Sequence, residues 1–470
     1  MAPVGSFLCR ELGLSHLRSS NSSRDLYLLI ASRFIRMLGF GSIAPILVLY
    51  LETLGFSDSR IGLFLSLTLF GDVVLSLLIS WCADAVGRRR MLALGSTMMG
   101  VSGVVFFCSK NYVVLLLGAI FGVISPSGNE VGPFSAVEVG ILSQLVRAED
   151  RVFILVWYQV LGFVGLALGS IWTGLLVTAL ENRHSTHNAY RFVFLVYAVI
   201  AAIKIVLSLC LSKYTELNHP PFPEPGSVAS DSPAPSDHDD YDDDDLAERR
   251  PLIDRTESST PRANSGIPKF DSPEDSTNQP ATLPVLRLLF VCFLFSIDSF
   301  ASSLIPASYV SYYFKEIYHA SLSLITRVLA SSALGAVFTS LLAGAIAKRI
   351  GLVLAMTVTH IPAQVLTGAM AFAPNLASVI TLYIARTCIS SMDSSVRSAL
   401  LSAMVPKTAR TRFLGIVDVS RTLAAAPGPF VTGRLISTGA LRWTFVISGA
   451  IKIAYDLALL AGFAATKFEH

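Results

Sequence analysis

Long apolar runs recur along the whole chain, and they restrict its fold more than any other feature. An apolar run of about 20 residues can cross the roughly 30 Å hydrocarbon core of a bilayer as one helix. We identify twelve candidate spans, at approximately 26–51, 61–83, 91–109, 112–146, 153–179, 192–211, 286–305, 322–346, 352–372, 376–405, 413–436 and 441–464. Charged residues make up only 15% of the chain, against about 25% in a soluble domain. The sequence therefore predicts an all-α integral membrane protein.

The fourth span is unusual because its apolar run is interrupted. The stretch from Ser125 to Pro133 contains two prolines, two glycines and Glu130, and mostly apolar sequence resumes at Phe134. Irregular backbone at membrane depth is tolerated where it faces protein or a water-filled cavity, because lipid offers no hydrogen bonds. We predict one long or broken helix whose middle faces protein or a cavity.

Residues 212–283 differ sharply in composition from the rest of the chain. They hold 16 of the 33 acidic residues, 6 of the 36 basic residues and 11 of the 22 prolines. Such a segment cannot bury enough apolar surface to offset the entropy lost on ordering, so we predict a disordered acidic linker. The predicted organisation is a tail, a six-helix bundle, the linker, a second six-helix bundle and a tail, at 1–24, 25–211, 212–283, 284–465 and 466–470.

Basic residues outside the linker lie mostly in short loops on one side of the predicted membrane. Lys and Arg in short loops favour the cytoplasmic face. The loops after the second, fourth, eighth and tenth spans carry them, so both termini and the linker are predicted to be cytoplasmic. This distribution indicates membrane topology, and it does not indicate a nucleic-acid-binding surface.

The two groups of six spans show an internal repeat. Residues 136–146 match residues 395–405 at an offset of 259, and the same offset places Gly169 on Gly428. Duplication of a six-span unit is common among transporters, which place the substrate site between the two repeats.

A short charged loop, Ser80–Met91, joins the second and third spans. It contains Asp84, Gly87, Arg88 and Arg89, and a degenerate copy follows 264 residues later. With six plus six spans and a long central loop, the chain resembles the major facilitator superfamily over about residues 25–465. The resemblance implies a fold of twelve transmembrane helices in two six-helix bundles. It also implies that this loop stabilises one conformation of an alternating-access cycle, where the alternative is a plain topology signal.

Four charged residues within the spans are candidates for a substrate or proton path. A charge at mid-bilayer costs roughly 2.5–3.5 kcal/mol or more, so each one requires a partner or a function. Asp72, Glu130 and Asp298 could carry protons, and Arg386 could bind an anionic substrate. For each, a purely structural role is about equally consistent with the sequence.

Other intramembrane charges suggest ion pairs. Asp393 and Arg397 are spaced i,i+4, which favours an intrahelical pair, although a ligand contact is an alternative. Glu138 and Arg397 occupy equivalent repeat positions, so we predict a structural or gating pair, with substrate binding as the alternative. Arg33 and Arg36 lie in the early turns of the first span, where their side chains are expected to extend to the cytoplasmic interface.

The linker contains Glu248-Arg-Arg-Pro-Leu252-Ile253, which looks like an acidic dileucine sorting signal. Such a signal would bind a sorting adaptor through Glu248, Leu252 and Ile253. The predicted location is a vacuolar or lysosomal membrane, or otherwise the plasma membrane.

The sequence predicts a secondary active transporter of a small solute, coupled to protons. Two alternatives stay open: an organic or inorganic anion carrier that uses Arg386, and a non-transporting sensor whose linker recruits a partner. No phosphate-binding glycine loop with lysine occurs. Nucleophile–base and metal-ligand spacings are also missing from the sequence, so we expect no enzymatic activity, metal or cofactor.

Overall fold

The computed structural model describes residues 23–122, 124, 133–146, 151–216, 285–350, 352–393, 397 and 410–467. Within these residues the secondary structure is helical, with sixteen α-helices and one short 3-10 helix. The first half contains α1 Ser23–Ile43, α2 Leu47–Thr53, α3 Asp58–Val86, α4 Arg88–Cys108, α5 Tyr112–Phe121, α6 Pro133–Leu145, α7 Arg151–Glu181, α8 Thr186–Leu209 and the 3-10 helix Lys213–Thr215. The second half contains α9 Val285–Ser303, α10 Ala307–Tyr318, α11 Leu322–Ile350, α12 Leu352–Met370, α13 Leu376–Ser390, α14 Arg410–Ala425, α15 Gly428–Ser437 and α16 Leu441–Lys467.

Eight helical segments of the described chain are long and apolar enough to cross a membrane. The other four predicted spans contain the shorter α5 and α6, α12, α13, and the pair α14 and α15, so the model does not by itself establish a count of twelve. Large apolar side chains point outward, including Phe338 at 71% exposure and Phe372 at 70%. An exposed phenylalanine surface of this kind suits contact with lipid.

The first helix of each half is interrupted at the same place. α1 and α2 are separated by 44–46, which contains Pro45, and α9 and α10 are separated by 304–306, which contains Pro306. Proline has no backbone N–H and clashes with the preceding helical turn, so it breaks a helix at this point. The common offset of 260 residues extends the sequence repeat to the first span of each half.

The two halves pack together at one end of the helical body. α3 crosses α15 where Gly62 meets Gly433, and a Cβ atom on Gly433 would lie 2.5 Å from the carbonyl oxygen of Asp58. Nearby, the Ser66 hydroxyl accepts a hydrogen bond of 2.8 Å from the Phe430 amide. α7 also contacts α11, where Gly174 lies against Thr326. We call this region, residues 47–66, 305–326 and 428–437, the closed end.

Candidate functional site

The loop between α3 and α4 consists of Gly87 alone. Its φ of +105° is a conformation that glycine adopts without steric cost. Both helices can therefore end and begin within one residue. Asp84 lies in the last turn of α3, but its side chain is outside the described part of the model.

Glu216 binds the exposed start of α4. Its carboxylate accepts hydrogen bonds from the Arg88 amide at 2.7 Å and the Arg89 amide at 3.3 Å. An acid at a helix N-terminus satisfies amides that lack helical partners and interacts favourably with the helix dipole. Described structure thus extends to Glu216, five residues into the segment predicted to be linker.

Side chains of the same loop bind two further segments. Arg88 donates a hydrogen bond of 2.9 Å to the Gln144 side chain of α6, and Arg89 donates one of 3.0 Å to the Leu211 carbonyl. Gln144 in turn donates 2.9 Å to the Glu216 carbonyl. The loop therefore joins α4, the end of α6 and the chain that leaves α8.

Glu138 is the centre of a buried network in the first half. The Arg36 guanidinium is 2.6 Å from Glu138 Oε1, and the Lys204 ammonium is 3.3 Å from the same oxygen. Tyr158 donates a hydrogen bond of 2.6 Å to Oε2, and Ser32 donates one of 3.3 Å to Oε1. Four helices, α1, α6, α7 and α8, contribute to this one carboxylate.

Arg33 and Arg36 do not extend to the membrane interface, so that prediction was wrong. Their exposures are 2% and 0%. Arg33 donates 2.7 Å to the Gln159 side chain, and its guanidinium lies 4.2 Å from the centre of the Tyr158 ring. An arginine loses its hydration when it is buried. Contacts with an amide oxygen and an aromatic face offset part of that cost.

Asp298 is the centre of a second network, in the other half. Arg397 is 2.8 Å from Asp298 Oδ2, and Lys452 is 3.3 Å from Oδ1. Arg397 also lies 2.5 Å from Asp393 Oδ2, in the i,i+4 arrangement that the sequence suggested. Asp298 and Lys452 are almost fully buried, whereas 16% of the Arg397 side chain is exposed.

A histidine extends this second network to a third acid. His360 Nδ1 is 2.9 Å from both carboxylate oxygens of Asp456, and His360 Nε2 is 3.9 Å from Asp298 Oδ1. The ring packs edge-on against Tyr455. The imidazole of α12 therefore lies between acids on α9 and α16.

Both networks contain a carboxylate bound by an arginine and a lysine, with the acid and the arginine exchanged between helices. Glu138 and Arg397 are equivalent at the 259-residue offset, and they carry opposite charges. Their partners on the first helix of each half, Arg36 and Asp298, are also opposite in charge. Each half thus has one carboxylate bound by one arginine, with the acid and the arginine exchanged between helices. Glu138 and Arg397 each bind partners within their own half.

The lysine occupies the same position in both networks. Lys204 and Lys452 lie in the tetrapeptide Ala-Ile-Lys-Ile, which occurs at 202–205 and again at 450–453. This repeat, at an offset of 248, was available in the sequence and could have identified both lysines. The sequence predictions missed them, together with Tyr158, His360 and Asp456.

Asp72 is the fifteenth of the 29 residues of α3 and is fully buried. Neither carboxylate oxygen has a hydrogen-bond partner in the part of the chain that the model describes. A buried ionised carboxylate without partners is so costly that the neutral acid is the form such a site admits. Asp72 is therefore distinct from Glu138 and Asp298, which are both surrounded by cations.

Arg386, on α13, has a different environment again. Its guanidinium lies 6.0 Å from the centre of the Tyr383 ring, and its buried Nε makes no hydrogen bond within the described residues. It has no carboxylate within ion-pair distance among those residues. Glu130 and the proposed sorting residues Glu248, Leu252 and Ile253 lie outside the described part of the chain.

Comparison with known proteins places this architecture in a family. The sequence model of the family described as the Major Facilitator Superfamily matches residues 29–392 and 288–467. The chain is 32% identical over 452 residues to an uncharacterized membrane protein of Saccharomyces cerevisiae, covering 94% of each chain.

Solved structures show the same fold at low sequence identity. The nucleoside transporter NupG matches with a TM-score of 0.64 at 14% identity, covering 93% of this chain and 99% of that one. A bacterial homologue of the human lysosomal transporter Spinster, in an inward-facing and occupied conformation, matches with a TM-score of 0.65 at 13% identity, covering 95% and 97%. The chain therefore belongs to the Major Facilitator Superfamily.

Proposed function

We propose that this protein is a secondary active transporter that moves a small solute by alternating access and couples the movement to protons. The observation that carries the proposal is Asp72, a fully buried carboxyl group midway along α3 without hydrogen-bond partners among the described residues. A residue that is neutral when buried and ionised when a cavity reaches it takes up and releases one proton in each cycle. The other two described networks already bind their central acids with cations.

Alternating access requires two halves that separate at one end while they close at the other. The contacts between α3 and α15 and between α7 and α11 supply a closed end built on small residues. Small residues allow close helix approach without interlocking side chains, which favours repeated separation and closure. The loop at Gly87 is the proposed conformational element, in which Asp84, Arg88 and Arg89 act with Glu216.

The proposal is tested with the purified full chain in liposomes that contain a pH-sensitive dye. A panel of nucleosides, sugars, organic cations and carboxylates is added outside, and proton movement is followed. We expect at least one solute to drive proton flux, and Asp72→Asn to remove that flux. Ser76→Ala is the matched control, because Ser76 lies one turn further along α3 and its hydroxyl is also buried without a hydrogen bond. Absence of proton flux with every solute would overturn proton coupling.

A second candidate function is anion transport through Arg386. The observation that favours it is a half-buried guanidinium with no carboxylate at ion-pair distance in the described chain, since an arginine in this position can bind carboxylate or phosphate in a bidentate manner.

Arg386→Gln should abolish the uptake of anionic solutes, and Arg386→Lys should restore part of it. Thr381→Ala on the same helix should change nothing, because its exposed hydroxyl bonds only the Ala377 carbonyl. Equal uptake by Arg386→Gln and the unaltered protein would exclude this function.

Membrane location, topology and linker function are proposed from the sequence. We propose cytoplasmic termini, a cytoplasmic linker, and sorting to a vacuolar or lysosomal membrane through an adaptor bound at Glu248, Leu252 and Ile253. Replacing Leu252 and Ile253 with alanine should redirect the protein to the plasma membrane. Deleting 220–280 should leave transport in liposomes largely intact, whereas a sensor that works through this segment would lose its function.

A further inference from the structure

The second network contains a histidine–acid pair that the first network lacks. At the 264-residue offset of the Gly87 loop, His360 corresponds to Ser96, and at the 248-residue offset of the lysines, Asp456 corresponds to Ser208. Both serines are buried, and each hydroxyl bonds a carbonyl of its own helix, Leu92 at 2.7 Å and Lys204 at 2.9 Å. The first half therefore builds the same carboxylate–arginine–lysine arrangement without a histidine or a second acid at these positions.

We infer that His360, held by Asp456, is a proton-responsive positioning residue that controls how tightly Asp298 is bound in the second half. This inference rests on the proposed proton coupling and names a residue through which a proton acts. The comparison with Ser96 and Ser208 carries it, because a network of this type is complete without the pair.

The geometry gives the two protonation states of His360 opposite effects on Asp298. Nδ1 lies 2.9 Å from both Asp456 oxygens, so the Nδ1–H donates to that carboxylate. Nε2 then faces Asp298 Oδ1 at 3.9 Å. With a proton on Nε2 the contact attracts, and a small approach would complete a charge-assisted hydrogen bond. Without that proton, a lone pair faces a carboxylate oxygen and the contact repels.

The charged groups around His360 come from several helices. α16 contributes Asp456, Lys452 and the Tyr455 ring, and α9 contributes Asp298. Arg397 and Asp393, between α13 and α14, lie beyond Asp298, and Arg386 of α13 is within electrostatic range of Lys452. On the described part of α11 and on α12 itself, no further charged group is in contact with the ring.

Protonation of the imidazole therefore links three helices. The imidazolium is attracted to acids on α9 and α16 at once, and loss of the proton removes one of these attractions. The proton binds at Nε2 and leaves from it, with no other bond formed or broken. Because 16% of the Arg397 side chain is exposed, the network reaches the molecular surface on the side of Asp298. α9 continues through the break at 304–306 into α10, which belongs to the closed end, so a movement of Asp298 is transmitted there.

The test measures conformation and needs no solute. Spin labels are placed on cysteines at Ser57 and Ser321, which are exposed on opposite halves of the closed end, in a chain whose native cysteines are replaced by serine. Distances are recorded in lipid nanodiscs at a series of pH values from about 5 to 8. We expect the population with separated labels to change with pH, and His360→Ser to reduce the amplitude of that change by at least half.

Further variants keep the result interpretable. Asp456→Asn should weaken the response, because Nδ1 loses the carboxylate that orients Nε2 towards Asp298. Ser96→Ala and Ser208→Ala are the matched controls and should respond like the unaltered protein. If His360→Ser does not fold, His360→Gln replaces it, since the amide can still bond Asp456 but cannot titrate.

The outcomes separate the inference from the proposed function. An unchanged pH response in His360→Ser or His360→Gln, or a response absent from the unaltered protein, overturns the inference. Proton flux in the liposome assay is measured independently, and its absence overturns proton coupling whatever the distances show.

Discussion

The buried networks around Glu138 and Asp298 solve one problem in two ways. Both place a carboxylate, an arginine and a lysine where charges are expensive, and both bring them from three different helices. In the first half the acid receives four contacts, two from cations and two from hydroxyl groups. In the second half the acid shares its arginine with Asp393 and its surroundings with a histidine. In the first network all described contacts to the acid come from cations and hydroxyl groups. In the second network the neighbours of the acid include a histidine and a further carboxylate.

This difference teaches that equivalent positions need not have equivalent roles. The exchange of acid and arginine between α1 and α6 on one side, and α9 and the segment after α13 on the other, preserves the pairwise attraction. It also changes which helix carries the positive charge. Duplicated halves can therefore keep a stable arrangement while one copy acquires additional titratable neighbours.

The largest expected effect on stability comes from neutralising Glu138, the acid with the larger number of hydrogen-bond and ion-pair partners. Glu138→Gln leaves Arg36 and Lys204 buried beside a neutral amide, and breaking a buried pair in this way costs about 3–5 kcal/mol. The free energy of unfolding of the purified protein should fall by that amount in detergent. Asp72→Asn is the control, and its stability should be close to that of the unaltered protein, because an amide of the same shape replaces a neutral acid without hydrogen-bond partners in the described chain. Equal losses in the two variants would contradict the comparison.

Asp298→Asn should cost less, about 2 kcal/mol. Arg397 lies 2.5 Å from Asp393 as well, so the arginine remains paired after the change. Each variant leaves one lysine, Lys204 or Lys452, without a carboxylate at ion-pair distance in the described chain, so the second pairing of Arg397 accounts for the expected difference. The same unfolding measurement compares the two variants, and a larger loss in Asp298→Asn than in Glu138→Gln would show that the second network is the more rigid one.

The smallest effects distinguish two tyrosines. Tyr158 donates to Glu138 at 2.6 Å, so Tyr158→Phe should cost about 1–2 kcal/mol. The Tyr455 hydroxyl is buried without a hydrogen bond in the described structure, and Tyr455→Phe should therefore lie within about 0.5 kcal/mol of the unaltered protein. Melting curves of both variants, measured side by side, test this difference. Equal costs would mean that Tyr455 has a hydrogen bond in solution.

Much of the fold could be predicted from the sequence. Unpaired backbone groups and charges are so costly in lipid that few folds are possible for a chain of this pattern. Apolar runs predicted the helices, and the repeat and the Gly87 loop indicated the family. α5 ends at Phe121, shortly before the interruption of the fourth span. The predicted long or broken helix is not tested, because residues 125–132 lie outside the described part of the chain.

The partners of the buried charges could not be predicted in the same way. The cost of an intramembrane charge drew attention to Asp72, Glu138 and Asp298, but pairing depends on how each helix is rotated about its axis. Arg36 was expected at the membrane interface because it lies close to the start of the first span. The sequence does not show towards which side of the helix its side chain points. His360 was missed because a lone histidine in an apolar run gives no signal until Asp456, 96 residues later, is placed beside it.

The anchoring of Glu216 has a mechanical consequence. The chain leaves α8 and is immediately bound at the Arg88 and Arg89 amides and by Gln144. Tension applied to the polypeptide beyond this point, for instance by a bound protein, is therefore borne by the start of α4 and the end of α6 before it reaches α8. Glu216 therefore shields α8 from such a force, which acts instead next to the one-residue loop at Gly87.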